Sequence, residues 1–84
     1  MVTEKEMQNC KRQLKAIYGD MNEDELRDKM TNVMDIMSHL YKRYYEKWFA
    51  GDAWGVDHVD RLLHSAHVQM ATITSMLEEA KKRG

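Results

Sequence analysis

Asn22 to Ala50, NEDELRDKMTNVMDIMSHLYKRYYEKWFA, carries two apolar stripes on what its periodicity marks as one long helix. Leu26, Met30, Val33, Met37, Leu40 and Tyr44 recur at alternating steps of four and three. That is the 3.6-residue period of a buried helix face. Beside it runs a second line, Met34, Tyr41, Tyr45 and Trp48, with Ile36 and Phe49 at its edges. A helix packed on one neighbour needs roughly 100° of apolar surface. This one has more, and the surplus calls for another chain or a ligand.

Working outward, the rest of the chain reads as helix too. Proline is absent, and the only glycines are Gly19, Gly51, Gly55 and Gly84. Thr3 with Glu6 fits a capping box for a first helix over about 3–18, whose apolar face is Met7, Cys10, Leu14 and Ile17. Gly19 is placed to end it in a left-handed cap. Asn22 with Glu25 repeats the box for the second helix, over about 22–50, and Glu23, Asp24 and Glu25 suit the positive end of its dipole. Gly51-Asp52-Ala53-Trp54-Gly55 reads as the one clear loop. A third helix then runs over about 57–82, with Asp57 as cap and Lys81-Lys82-Arg83 at its negative end. Its stripe is Val59, Leu63, Ala66, Met70, Ile73, Leu77 and Ala80. The expected fold is all-α in one domain: a long antiparallel hairpin of helices two and three, with the shorter first helix folded across it. Self-association into an oligomeric bundle would cover the surplus stripe.

Composition narrows the class. At 84 residues the core is small, and oligomerisation is a common remedy. Charged residues at 32 % and hydrophobics at 43 % fit a folded helical protein. No apolar run reaches the roughly 20 residues of a membrane span, and nothing at the amino terminus has a signal peptide's h-region. The lone Cys10 suits a reducing cytoplasm. Thirteen bases against fourteen acids give a net charge of −1, which argues against general duplex binding.

No catalytic motif is present, and the expectation is a protein that is not an enzyme and takes no cofactor. Asp60, His64 and His67 share one helix face, with His39 and His58 elsewhere, but the Glu-x-x-His pair of di-iron bundles is missing. They read as structural or surface histidines rather than metal ligands. Cys10, on an apolar face with no activating partner at fixed spacing, reads as a core residue. Met30, Met34, Met37, Met70 and Met76 supply adaptable apolar surface. Tyr41, Tyr44, Tyr45, Trp48, Phe49 and Trp54 form an aromatic cluster interleaved with Lys42, Arg43 and Lys47. It is the core of the hairpin's closed end, a site for bases and phosphates, or a hot spot for a partner protein. Lys11, Arg12 and Lys15 become an anion site if another chain brings bases alongside, and Ser65, Thr72, Thr74 and Ser75 are possible phosphate donors.

The junction Tyr18-Gly19-Asp20-Met21-Asn22-Glu23-Asp24-Glu25-Leu26 resembles a stretch of the phage anti-CBASS cyclic-nucleotide sponges. There a tyrosine, an aspartate two on, an apolar residue and a polar cap precede the long second helix. The helix layout is similar, and His67-Val68-Gln69 resembles a second short stretch. The resemblance implies an oligomer, hexameric in that family, that sequesters cyclic di- and trinucleotides without cleaving them, inside an infected host's cytoplasm. Tyr18 carries over as a base-stacking aromatic. The family's basic residue after the tyrosine is Gly19 here, and its ligand-binding lysine falls on Val33. Arg12, Lys15, Arg27 or Lys29 would supply that charge. The alternative expectation is a protein–protein inhibitor or adaptor of a phage or mobile element, docking through the aromatic face.

Overall fold

The computed structural model describes residues 1–83 as three helices, α1 (Glu4–Tyr18), α2 (Glu23–Phe49) and α3 (Ala53–Arg83). Gly84 lies outside the described residues. Both expected capping boxes are formed. Thr3 Oγ accepts from the Glu6 amide at 3.2 Å, while Glu6 Oε1 accepts from the Thr3 amide at 3.0 Å. Asn22 Oδ1 accepts from the Glu25 amide at 2.9 Å, with Glu25 reaching back at 3.4 Å. Gly19 ends α1 at φ 71°, ψ −153°. The positive φ is as expected of glycine, but the ψ lies outside the left-handed helical well expected from the sequence.

The start of α3 corrects the sequence reading. Asp57 does not cap it; Asp52 does, and the helix begins at Ala53. Asp52 Oδ1 accepts from the Gly55 amide at 2.9 Å, and its backbone oxygen accepts from Val56 at 2.9 Å. Asp57 lies inside the helix and pairs with Arg61 one turn on, at 3.0 Å. The expected five-residue loop therefore shrinks to Ala50-Gly51-Asp52. Gly51, at φ 70°, donates to the Trp48 carbonyl, and Asp52 to the Lys47 carbonyl. That pair of bonds is the Schellman pattern, so one turn closes α2 and caps α3. Gly55 is no helix breaker. A Cβ there would stand 2.6 Å from Asp52 Oδ2 and 2.7 Å from Lys47 Cδ, so the missing side chain makes room for the cap. Asp52→Ala is expected to cost about 1 kcal/mol in a thermal melt, with Asp57→Ala nearly silent. Equal effects of the two would contradict this boundary.

The core joins Leu14 of α1, Leu26 and Val33 of α2, and Ala66, Ile73, Met76 and Leu77 of α3. Met21, Met30, Met37, Leu40, Met70 and Cys10 pack against it. The first stripe of α2 and the whole expected stripe of α3 thus face inward. α3 also buries Val68, Thr72 and Met76 at i, i+4, i+8; Val68 and Thr72 face α1, and Met76 sits between α1 and Leu26 of α2. The two-sided helix in the packing is therefore α3. Helix α1 does not fold across the other two as expected. Among the described residues, α1 and α2 each pack on α3, and their backbones do not pack on each other. No described helix is long and apolar enough to cross a membrane.

Candidate functional site

With α1 placed on α3, the second stripe of α2 is left uncovered. Met34 is 53 % exposed, Tyr41 40 %, Tyr45 57 % and Trp48 62 %. Phe49 and Trp54 stand further out still, and of the six aromatics only Tyr44 is half-buried. The face has internal order. The Tyr44 and Tyr45 rings meet edge-on at 5.8 Å and 84°. Tyr41 Oη lies 3.0 Å from His67 Nε2, which fixes the tyrosine against α3. Where α2 turns into α3, Tyr44 and Trp48 wall a cleft of about 530 Å³. Ala53, Val56, Asp57 and Asp60 complete it from α3. Trp54, expected in a loop, sits in the first turn of α3 and does not line this cleft.

The expected anion-binding set is only partly gathered. Lys29 Nζ donates to Tyr18 Oη at 2.9 Å and stands 4.5 Å from the ring centroid, a cation–π contact. Arg27 is turned to Glu23 at 2.7 Å and Asp24 at 3.7 Å. Lys15 lines a separate cleft of about 300 Å³ with Lys11, Arg83, Asp20, Glu23 and Glu79. Its bases and acids balance, so that cleft has no marked anion preference. Arg12 is exposed and lines neither cleft. Among the hydroxyls, Thr72 is buried and donates to the Val68 carbonyl at 2.7 Å, and Thr74 donates to Met70 at 2.8 Å. Thr72 is thereby closed to any ligand.

The histidine face divides between neighbours. His64 Nε2 lies 2.6 Å from Glu6 of α1, His67 bonds Tyr41 of α2, and His39 lies 3.8 Å from Asp35 on its own helix. Among the described residues no three His, Cys, Asp or Glu side chains gather as a metal site would require. Sequence spacing did not reveal the clasp of α1 on α3, formed by Glu6–His64 and by Lys11–Glu79 at 3.0 Å. These partners lie 58 and 68 residues apart, beyond any local pattern.

That clasp depends on acid. The Glu6 carboxyl falls from its ordinary 4.5 to about 2, chiefly through the His64 hydrogen bond and then through the Thr3 amide and hydroxyl. Glu79 is also lowered, first by the Lys11 hydrogen bond. A carboxylate lowered on folding adds stability above its unfolded value and loses it as pH falls toward the folded one. The clasp is therefore expected to weaken between about pH 4.5 and 2. In urea titrations, Glu6→Gln should make the acid limb of stability shallower over that window. An unchanged limb would remove Glu6 as its source.

Comparison with protein-family models, curated proteins and solved structures gives no match to this chain.

Proposed function

We propose that this chain is a non-enzymatic helical binding protein that docks a protein partner through the aromatic face of α2. The observation that carries the reading is the exposed line Met34, Tyr41, Tyr45, Trp48, which α1 leaves open by packing on α3 instead. Contiguous apolar patches mark interaction sites, and tyrosine and tryptophan dominate binding hot spots. The contacts support α2 and α3 as an antiparallel hairpin: Leu26 clusters with Met76 and Leu77, Tyr41 meets His67, and Trp48 faces Val56. Such a hairpin presents the aromatics as one rigid edge. A phage or mobile-element inhibitor or adaptor, working in a host cytoplasm, fits this size and surface.

The test compares wild type with Tyr41→Ala/Tyr45→Ala. The wild type should retain from host lysate one protein, identifiable by mass spectrometry, that the variant loses by about 30-fold or more. Tyr45 is well exposed and Tyr41 gives up one bond to His67, so the variant should melt several degrees lower at most, and binding is compared well below both transitions. A partner held equally by both would place the docking surface elsewhere.

The Tyr18–Lys29 pair favours a second reading, the cyclic-nucleotide sponge. It puts an aromatic ring and an ammonium together at the α1–α2 junction, with self-association closing copies around the ligand. Light scattering separates the two: a 10.0 kDa monomer suits docking, and a larger assembly suits the sponge. Calorimetry with cyclic di- and trinucleotides should then show binding that Tyr18→Ala removes. No heat across that panel would end the sponge reading.

A further inference from the structure

We infer that the cleft between Tyr44, Trp48 and Asp60 receives a cationic side chain, an arginine or lysine, of the docked protein. This rests on the docking reading and adds the chemistry of the partner. Tyr44 and Trp48 are one turn apart on α2, and both line the cleft of about 530 Å³, ample for one long side chain. Ala53 and Val56 give it an apolar floor.

The three carboxylates at the cleft are not equivalent. Asp52 is held by the Gly55 amide and stands 3.6 Å from Lys47. Asp57 is paired with Arg61. Asp60 has no ion-pair or hydrogen-bond partner among the described residues. Aspartates often serve only to offset the positive end of a helix, but that effect falls off within the first turn. Asp60 is the eighth residue of α3, two turns in, so the dipole does not account for it. The nearby bases of the chain itself, Lys47 and Arg61, are turned to the other two aspartates.

The lining selects its occupant. Tryptophan and tyrosine faces attract cations through the ring quadrupole. A free carboxylate beside them adds direct attraction and accepts a forked pair of hydrogen bonds from a guanidinium. The apolar floor takes the methylene stem of a long basic side chain. An anionic group would instead meet Asp52, Asp57 and Asp60 around the cleft.

The probe is a capped pentapeptide carrying two arginines, titrated into the ¹⁵N-labelled protein at low salt, with a glutamine-for-arginine peptide as control. The arginine peptide should move the Trp48 indole N–H signal saturably, and the control should not. Trp48→Phe assigns that signal and leaves Trp54, outside the cleft, as internal reference. Asp60→Asn, at an exposed position that folding does not need, should weaken binding by about three-fold or more. A still Trp48 signal, equal binding of the control peptide, or undiminished binding to Asp60→Asn would each overturn the inference. Docking itself would stand through any of these if Tyr41→Ala/Tyr45→Ala still loses the partner. Conversely, a Trp48 response without any retained partner would support the cation site and count against docking.

Discussion

Ile73→Ala should lower the melting temperature by roughly 10–25 °C, more than any change on the aromatic face. Ile73 is 0 % exposed, and it sits in the core cluster with Leu26, Val33, Met76 and Leu77. Truncating an enclosed isoleucine costs about 2–5 kcal/mol, part in lost transfer energy and part in the cavity left behind. A domain this size holds only about 4–13 kcal/mol in all, so the loss is a large share. Ile36→Ala is the control: the same deletion at a position 53 % exposed, where little should change. Circular dichroism at 222 nm reads both. A shift under about 5 °C for Ile73→Ala would mean that the neighbouring methionines flow into the gap, and that the packing centre lies elsewhere.

The second large effect is local. Leu14 is the only buried residue of α1, 6 % exposed, and the backbone of α1 packs on α3 alone. Leu14→Ala removes about 2–5 kcal/mol from that one contact. What remains is Cys10 and Met7, two ion pairs whose side chains are partly in water and the exposed Tyr18–Lys29 contact, and exposed polar contacts add little. The expected result is a sub-global opening: amides over Glu4–Tyr18 exchange 30-fold or more faster, by that order of free energy, while the centre of α2 and α3 keeps its protection. Hydrogen exchange read by NMR separates the segments. Uniform acceleration throughout would show that α1 and the other helices open as one unit.

The residues that misled the sequence reading, and those that did not, differ in the range of the forces involved. Thr3–Glu6 and Asn22–Glu25 were legible because a capping box is settled within four residues. The inward stripe of α2 was legible because period alone fixes it. The start of α3 was not, since Gly55 reads as a breaker and only the packed turn shows it making room for Asp52 and Lys47. The second face of α3 was hidden by its polar centre: Thr72 interrupts Val68 and Met76 in the sequence, yet returns its hydroxyl to its own helix and is buried. With that face unseen, α3 had one partner to seek and α1 was assigned a different seat. The aromatic stripe was found from spacing, but whether it is covered depended on where α1 went. In the sequence Asp60 stands out only by sharing a helix face with His64 and His67; its lack of a partner follows from where Lys47 and Arg61 turn.

The dependence of α1 on α3 also sets an order of events. Lys11 meets Glu79 and Glu6 meets His64, so α1, synthesised before the other two helices, finds its seat only when nearly all of α3 has followed. Helices α2 and α3 are joined by three residues, so their contacts beside the turn are local and form fast, and the pairing spreads outward from there. They are expected to pair first, with α1 waiting as a short, weakly helical segment and then docking onto a surface already made. During that interval Val68 and Thr72, which face α1 in the folded chain, lie bare. The paired α2 and α3 thus keep one further apolar surface open until α1 arrives.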